Sequence, residues 1–119
     1  VTLTRGQFVV SVLASLPEAS AVVAEHLDDQ EGELLLHLLV ADLRRLLLDA
    51  WQRQDQDVLH RGLTFLDAAL TTGDEYVNNA VAVSFVEDIG WWEADMQPFI
   101  ASWPKALATE VERQRSARG

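Results

Sequence analysis

The chain has 119 residues, no cysteine, 49% hydrophobic content, and nineteen acids against nine bases for a net charge of −10. That length leaves no room for a second independent core, and the missing thiols rule out disulfides and thiolate metal sites. The acidity disfavours direct binding to nucleic acid or an anionic membrane, and no apolar run reaches the roughly 18–20 residues that span a bilayer.

Helical periodicity runs through the sequence and no strand alternation persists, so an all-α single domain is expected, an antiparallel bundle or array of five to seven helices. Thr4 and Gln7 have the capping-box spacing and open a first helix from Arg5 to about Leu16. Its apolar stretch, Phe8 to Leu16, is short and interrupted by serines, unlike a secretory signal. Val1 in place of methionine points to loss of the initiator residue. Pro17 suits the first turn of a second helix carrying Ala19, Val22, Val23, Ala24 and Leu27, and Asp28-Asp29-Gln30-Glu31-Gly32 reads as a connection.

A third helix, Glu33 to about Arg53, is apolar almost all round and should be buried on several sides, with Arg44, Arg45 and Asp49 as its wet edge. The fourth, about Asp55 to Thr71, carries Leu59, Leu63, Leu66 and Leu70 on one face. Thr72-Gly73-Asp74 supplies a stop and a new N-cap for a fifth helix, Glu75 to Ile89. Its inward face is Val77, Ala80, Val81, Ser84, Phe85 and Ile89. Asn78 and Asn79, poor interior helix formers, call for tertiary hydrogen bonds, and Gly90 ends the helix. After Trp91-Trp92 come a short helical piece through Ile100 and a last helix from Pro104 to about Arg115, with Leu107 and Val111 inward and a frayed end beyond.

Catalytic chemistry finds little support. None of the serines sits in a nucleophile elbow and there is no phosphate-cradling glycine motif. Glu33 and His37 share a helix face, but no second such pair completes a metal site, so His37 is expected to be half-buried and bonded within the bundle. All-α magnesium-dependent nucleotide hydrolases use a Glu-Glu-x-x-Glu helix followed by Glu-x-x-Asp. Asp28 to Glu33 is the nearest stretch, but it is broken by Gly32, and Glu87-Asp88 are adjacent rather than spaced. No cofactor or metal is implied.

The charge is uneven: residues 61–95 carry seven acids and one base, and residues 96–119 carry two acids and four bases. The plain reading is a solubilising surface; the sharper one is an acidic face that docks a basic protein. Of the Trp91-Trp92 pair, about 100° apart if helical, one is expected to be buried and the other exposed.

Tyr76 to Asp88, with its Val77-Asn78-Asn79-Ala80-Val81-Ala82-Val83-Ser84-Phe85-Val86-Glu87 run, resembles the signature helix of a family of small bacterial all-helical proteins similar to immunity proteins of toxin/immunity systems. Gln7-Phe8, Leu16-Pro17, Trp103-Pro104 and Leu107 agree with that pattern; Trp91-Trp92 lies outside it. The resemblance implies a cytoplasmic, non-catalytic protein that binds and neutralises a partner, a basic toxin. A structural or adaptor domain is the alternative. The residues marked for contact are Asp28, Asp29 and Glu31 in one region and Glu87, Asp88, Trp92, Glu93 and Asp95 in the other.

Overall fold

The computed structural model describes residues 2–32 and 34–118. Among them are seven α-helices: α1 (Arg5–Ser15), α2 (Ser20–Asp29), α3 (Leu36–Arg53), α4 (Gln56–Thr72), α5 (Glu75–Val81), α6 (Gln97–Ala101) and α7 (Lys105–Arg118). The all-α expectation holds. No helix among the described residues is long and apolar enough by itself to cross a membrane.

Local chemistry explains most of the boundaries. The Gln7 side chain accepts from the Thr4 backbone N–H at 3.2 Å, closing one arm of the capping box. Pro17 starts a 3₁₀ turn to Ala19 that leads into α2, and the path bends by 119° between α1 and the 17–29 segment. Asp55 and Asp74 cap α4 and α5, accepting from the N–H groups of Val58 (3.2 Å) and Val77 (2.9 Å). Asn78 donates to the Leu70 carbonyl at 2.7 Å and ties α5 back to α4.

Three expectations need correction. The third helix begins at Leu36 rather than Glu33, which lies outside the described residues. Leu35 is held extended (φ −105°, ψ 94°) because its N–H donates to Nε2 of the buried His26 at 3.2 Å. Arg44 is not on the wet edge of α3: its guanidinium reaches the Ser84 carbonyl at 3.0 Å and lies 3.4 Å from Asp88, while Arg45 and Asp49 do face solvent. The last helix continues to Arg118.

The fifth helical stretch keeps its expected span but not its pitch. After Val81 it widens into a π turn, Ala82–Val86, then tightens to a 3₁₀ turn, Glu87–Ile89, and stops at Gly90 in the left-handed region (φ 78°). Both distortions meet side chains of α3. In the π turn His37 Nδ1 lies 2.9 Å from Ser84 Oγ and Arg44 takes the Ser84 carbonyl, and in the 3₁₀ turn Asp88 lies 3.4 Å from Arg44. A wide turn needs such outside partners to satisfy its displaced carbonyls.

One hydrophobic cluster runs from Phe8 in α1 to Val111 in α7 and includes every inward residue named above for α4 and α5 except Ser84, which is also buried. Phe8 meets Phe65 edge-on at 5.2 Å, and Trp103 is packed between Phe85 and Phe99 at 5.0 and 5.6 Å. The Cα radius of gyration, 13.6 Å, matches the about 13.5 Å of a compact chain of this length.

Candidate functional site

The two acidic regions stand apart. Asp28, Asp29 and Glu31 are exposed at the end of α2, where the chain turns through two left-handed residues, Glu31 (φ 55°) and Gly32 (φ 83°). Asp29 and Glu25 there face Asp42 and Arg45 of α3 across a shallow cleft. Asp88 meets α3 through Arg44 instead. Asp42 and Arg44 are two residues apart and so point about 200° apart around the helix. The two acidic regions therefore form two surfaces.

The second surface carries more structure. Residues 87–95 include four acids and no base. Glu87 is half-buried, Asp88, Glu93 and Asp95 are exposed, and Asp88 is partly offset by Arg44. Trp91 is 6% exposed and Trp92 is 54% exposed, so the pair divides as expected. Trp92 stands edge-on against Trp91, ring centroids 5.3 Å apart and planes at 82°.

A small polar frame fixes that pair in place. The Trp91 indole N–H donates to Gln114 Oε1 at 2.8 Å, and the Arg115 guanidinium lies 5.7 Å from the Trp91 ring centroid. Gln97 donates to the carbonyls of both Trp91 (2.7 Å) and Glu93 (2.8 Å), clamping the backbone on either side of Trp92. Arg115 in turn donates to Gln97 Oε1 at 2.9 Å. Gln114 extends the frame to the π turn by donating to the Ala82 carbonyl at 3.0 Å. An exposed aromatic on so constrained a turn loses little freedom when it is covered by another surface.

Gln97, Gln114 and Arg115 are absent from the contacts marked in the sequence. A signal existed for Gln114: Leu107, Val111 and Gln114 follow i, i+4, i+7 spacing, which puts the amide on the buried face of α7. Nothing comparable marks Gln97.

Perturbed acids lie elsewhere. Arg61 bonds to Glu18 and Asp57 across α4 and the α1–α2 corner. Its hydrogen bonds pull the Glu18 carboxyl from 4.5 to about 2 and lower that of Asp57, while raising its own guanidinium. Glu110 is likewise lowered, first by its hydrogen bond from Arg113. The Arg61 cluster lies at the surface, whereas the largely buried Glu110 carboxylate also accepts from Gln114 at 2.9 Å and so touches the frame from its far side. Among the described residues, no three or more His, Asp or Glu side chains converge as a metal site would require.

A family's sequence pattern, described as a domain of unknown function, DUF7674, matches residues 10–117, from the middle of α1 almost to the end of α7. The chain belongs to this family. The match spans the π turn, both tryptophans and the glutamine frame, so these lie inside the DUF7674 domain rather than in an appendage. No curated protein and no solved structure matches the chain.

Proposed function

We propose that this DUF7674 domain acts by docking a basic protein and blocking it, without a reaction of its own, as a cytoplasmic immunity protein holds its toxin. The observation that supports this reading is Trp92. It is a large aromatic, 54% exposed, on a turn pinned by Gln97, beside a buried partner ring and within a run of four acids. Aromatic anchors in rigid settings carry most of the free energy at protein interfaces, and surrounding charge sets the encounter rate. Asp88, Glu93 and Asp95 would steer a cationic surface in, and Trp92 would hold it. The end of α2, with Asp28, Asp29 and Glu31, has acids but no exposed aromatic among them, and is the second choice of contact.

The test is an affinity capture from the native lysate at low and high salt, using the unaltered chain, Trp92→Ala, and the double reversal Glu93→Lys/Asp95→Lys. One basic partner, captured at low salt, reduced at high salt and lost by both variants, supports the proposal. A partner captured equally by all three proteins removes this surface from consideration.

A structural or adaptor role is the second reading. The feature that favours it is a groove between α1 and α4 lined by Leu3, Gly6, Val10, Phe65 and Ala68, with Val10 72% exposed. That groove has no charged lining residue and suits contact with another apolar surface. Concentration-dependent self-association that Val10→Glu abolishes would select this reading over the first.

A further inference from the structure

Two buried side-chain N–H groups among the described residues have no hydrogen-bond acceptor: Trp103 Nε1 and Arg115 Nε. Each such orphan is costly in a folded interior, so native structures hold few. Both residues line the same cleft, about 460 Å³, between α6 and α7. The rest of its lining divides into an apolar part, Ile100, Ala101, Ala108 and Val111, and a polar part, Gln97 and Glu112.

The indole cannot turn to look for another acceptor. Trp103 is 6% exposed and wedged between Phe85 and Phe99, so its N–H direction is set by the core. Arg115 is held as well: one terminal nitrogen donates to Gln97, leaving Nε 3.6 Å from the exposed carboxylate of Glu112, beyond hydrogen-bond reach. The cleft thus has a hydrocarbon floor and, just beneath its wall, one neutral and one cationic donor with essentially no accessible surface. A ligand reaches them as the exposed Glu112 and Arg115 side chains give way. The cleft also lies in a stretch of this acidic chain with surplus positive charge, residues 96–119, with four bases against two acids.

We propose that this cleft binds a carboxylate carried on an apolar body. The carboxylate oxygens accept from Trp103 Nε1–H and Arg115 Nε–H, and the hydrocarbon lies along Ile100, Ala108 and Val111. A carboxylate suits the pair better than a neutral carbonyl because it has two acceptor oxygens and complements the guanidinium charge. Glu112 is the built-in competitor, a weakly placed anion that an entering carboxylate displaces. Two sources carry this chemistry: a free hydrophobic acid, or the C-terminal residue of a peptide. Binding in this cleft does not depend on the docking of a basic partner at Trp92.

The experiment follows the Trp103 indole ¹H–¹⁵N resonance, assigned with Trp103→Phe, during titration of the full chain with 3-phenylpropionate and with its neutral amide. In parallel, an acetylated dipeptide ending in leucine is titrated as free acid and as amide. The expected result is a saturable shift of this resonance by one or both acids and little movement with either amide. Arg115→Gln should weaken binding about tenfold or more, the loss of one charge-assisted hydrogen bond, and Glu112→Gln should tighten it. Tighter binding of the dipeptide acid would identify a chain terminus as the ligand; equal or tighter binding of phenylpropionate would identify a small acid. The proposal is overturned if the resonance stays fixed at millimolar acid, if the amides move it as far as the acids, or if folded Arg115→Gln binds unchanged.

Discussion

Replacing Gln114 by leucine tests whether the frame under the tryptophans supports the fold as well as the surface. Gln114 is 8% exposed and bonds in three directions, accepting from the Trp91 indole and donating to the Ala82 carbonyl and to Glu110. Leucine fills similar space and offers no polar atom. The Ala82 carbonyl keeps the π-type bond from the Glu87 N–H and loses only its second donor, and Glu110 keeps Arg113. The main cost therefore falls on the indole N–H of Trp91, deprived of this acceptor inside the protein. A buried donor stripped of its acceptor costs about 1–3 kcal/mol. With a urea slope near 1.5 kcal/mol/M, a loss of about 2 kcal/mol lowers the unfolding midpoint by roughly 1.3 M. Trp91→Phe removes the donor itself, so Gln114→Leu should cost about 1 kcal/mol less in that background, a coupling that a double-mutant cycle reads directly. A midpoint unchanged by Gln114→Leu, or additive single and double variants, would refute the reasoning.

Three further perturbations probe other joints. Because Arg61 holds the Glu18 carboxyl down from 4.5 to about 2, the stability from this pair is present above the higher value and disappears as pH falls towards the lower one. Arg61→Gln should thus be less stable than the unaltered chain near neutral pH, with the gap closing between those two values; a gap independent of pH in acid melts would count against it. His26→Phe leaves the Leu35 N–H without its acceptor and should cost about 1–3 kcal/mol, with faster amide exchange at Leu35 by NMR; unchanged exchange there would show that His26 does not hold the start of α3. At Gly73 a Cβ would lie 2.5 Å from both the Ala69 carbonyl oxygen and Val77 Cγ1. Gly73→Ala should destabilise by about 1–3 kcal/mol through overpacking, and a thermal midpoint equal to that of the unaltered chain would contradict that close approach.

The sequence signals succeeded where structure is local. Asp55 and Asp74 work as caps, Gly90 stops its helix, and the leucines of α4 face inward, because each effect is decided within one or two turns. They failed where a distant group intervenes. Leu34 and Leu35 look helical by pattern, but His26, nine residues before Leu35, takes the Leu35 N–H and delays α3 to Leu36. Arg44 looks like a surface cation until Ser84, forty residues on, presents a carbonyl to it. The widened turn after Val81 leaves no trace in the spacing of apolar residues, since Val81, Ser84 and Phe85 point inward whether the pitch is α or π. At the candidate surface, the acids and the division of the tryptophans were legible. Gln97 was not legible, because an amide gives no hydropathy signal of the face it occupies. For Gln114 the spacing from Leu107 and Val111 marks the buried face of α7 but not its partner Trp91.

That widened turn also acts as a phase shift in the chain. Every residue of an α-helix advances about 100° around the axis, so the extra residue taken up at Ala82–Val86 rotates the downstream residues by that amount relative to an unbroken helix. The face on which Glu87 and Asp88 stand, and with it the approach of Asp88 to Arg44, is thereby set several residues before either one occurs. The tryptophans beyond the Gly90 stop are placed instead by their glutamine bonds. Within the family, a one-residue insertion or deletion in this stretch would re-aim the Glu87 and Asp88 carboxylates while leaving the composition of the surface untouched. Relatives with the same residues but a different count between Val81 and Glu87 should carry those carboxylates on a different side of the helix, away from the cation at position 44.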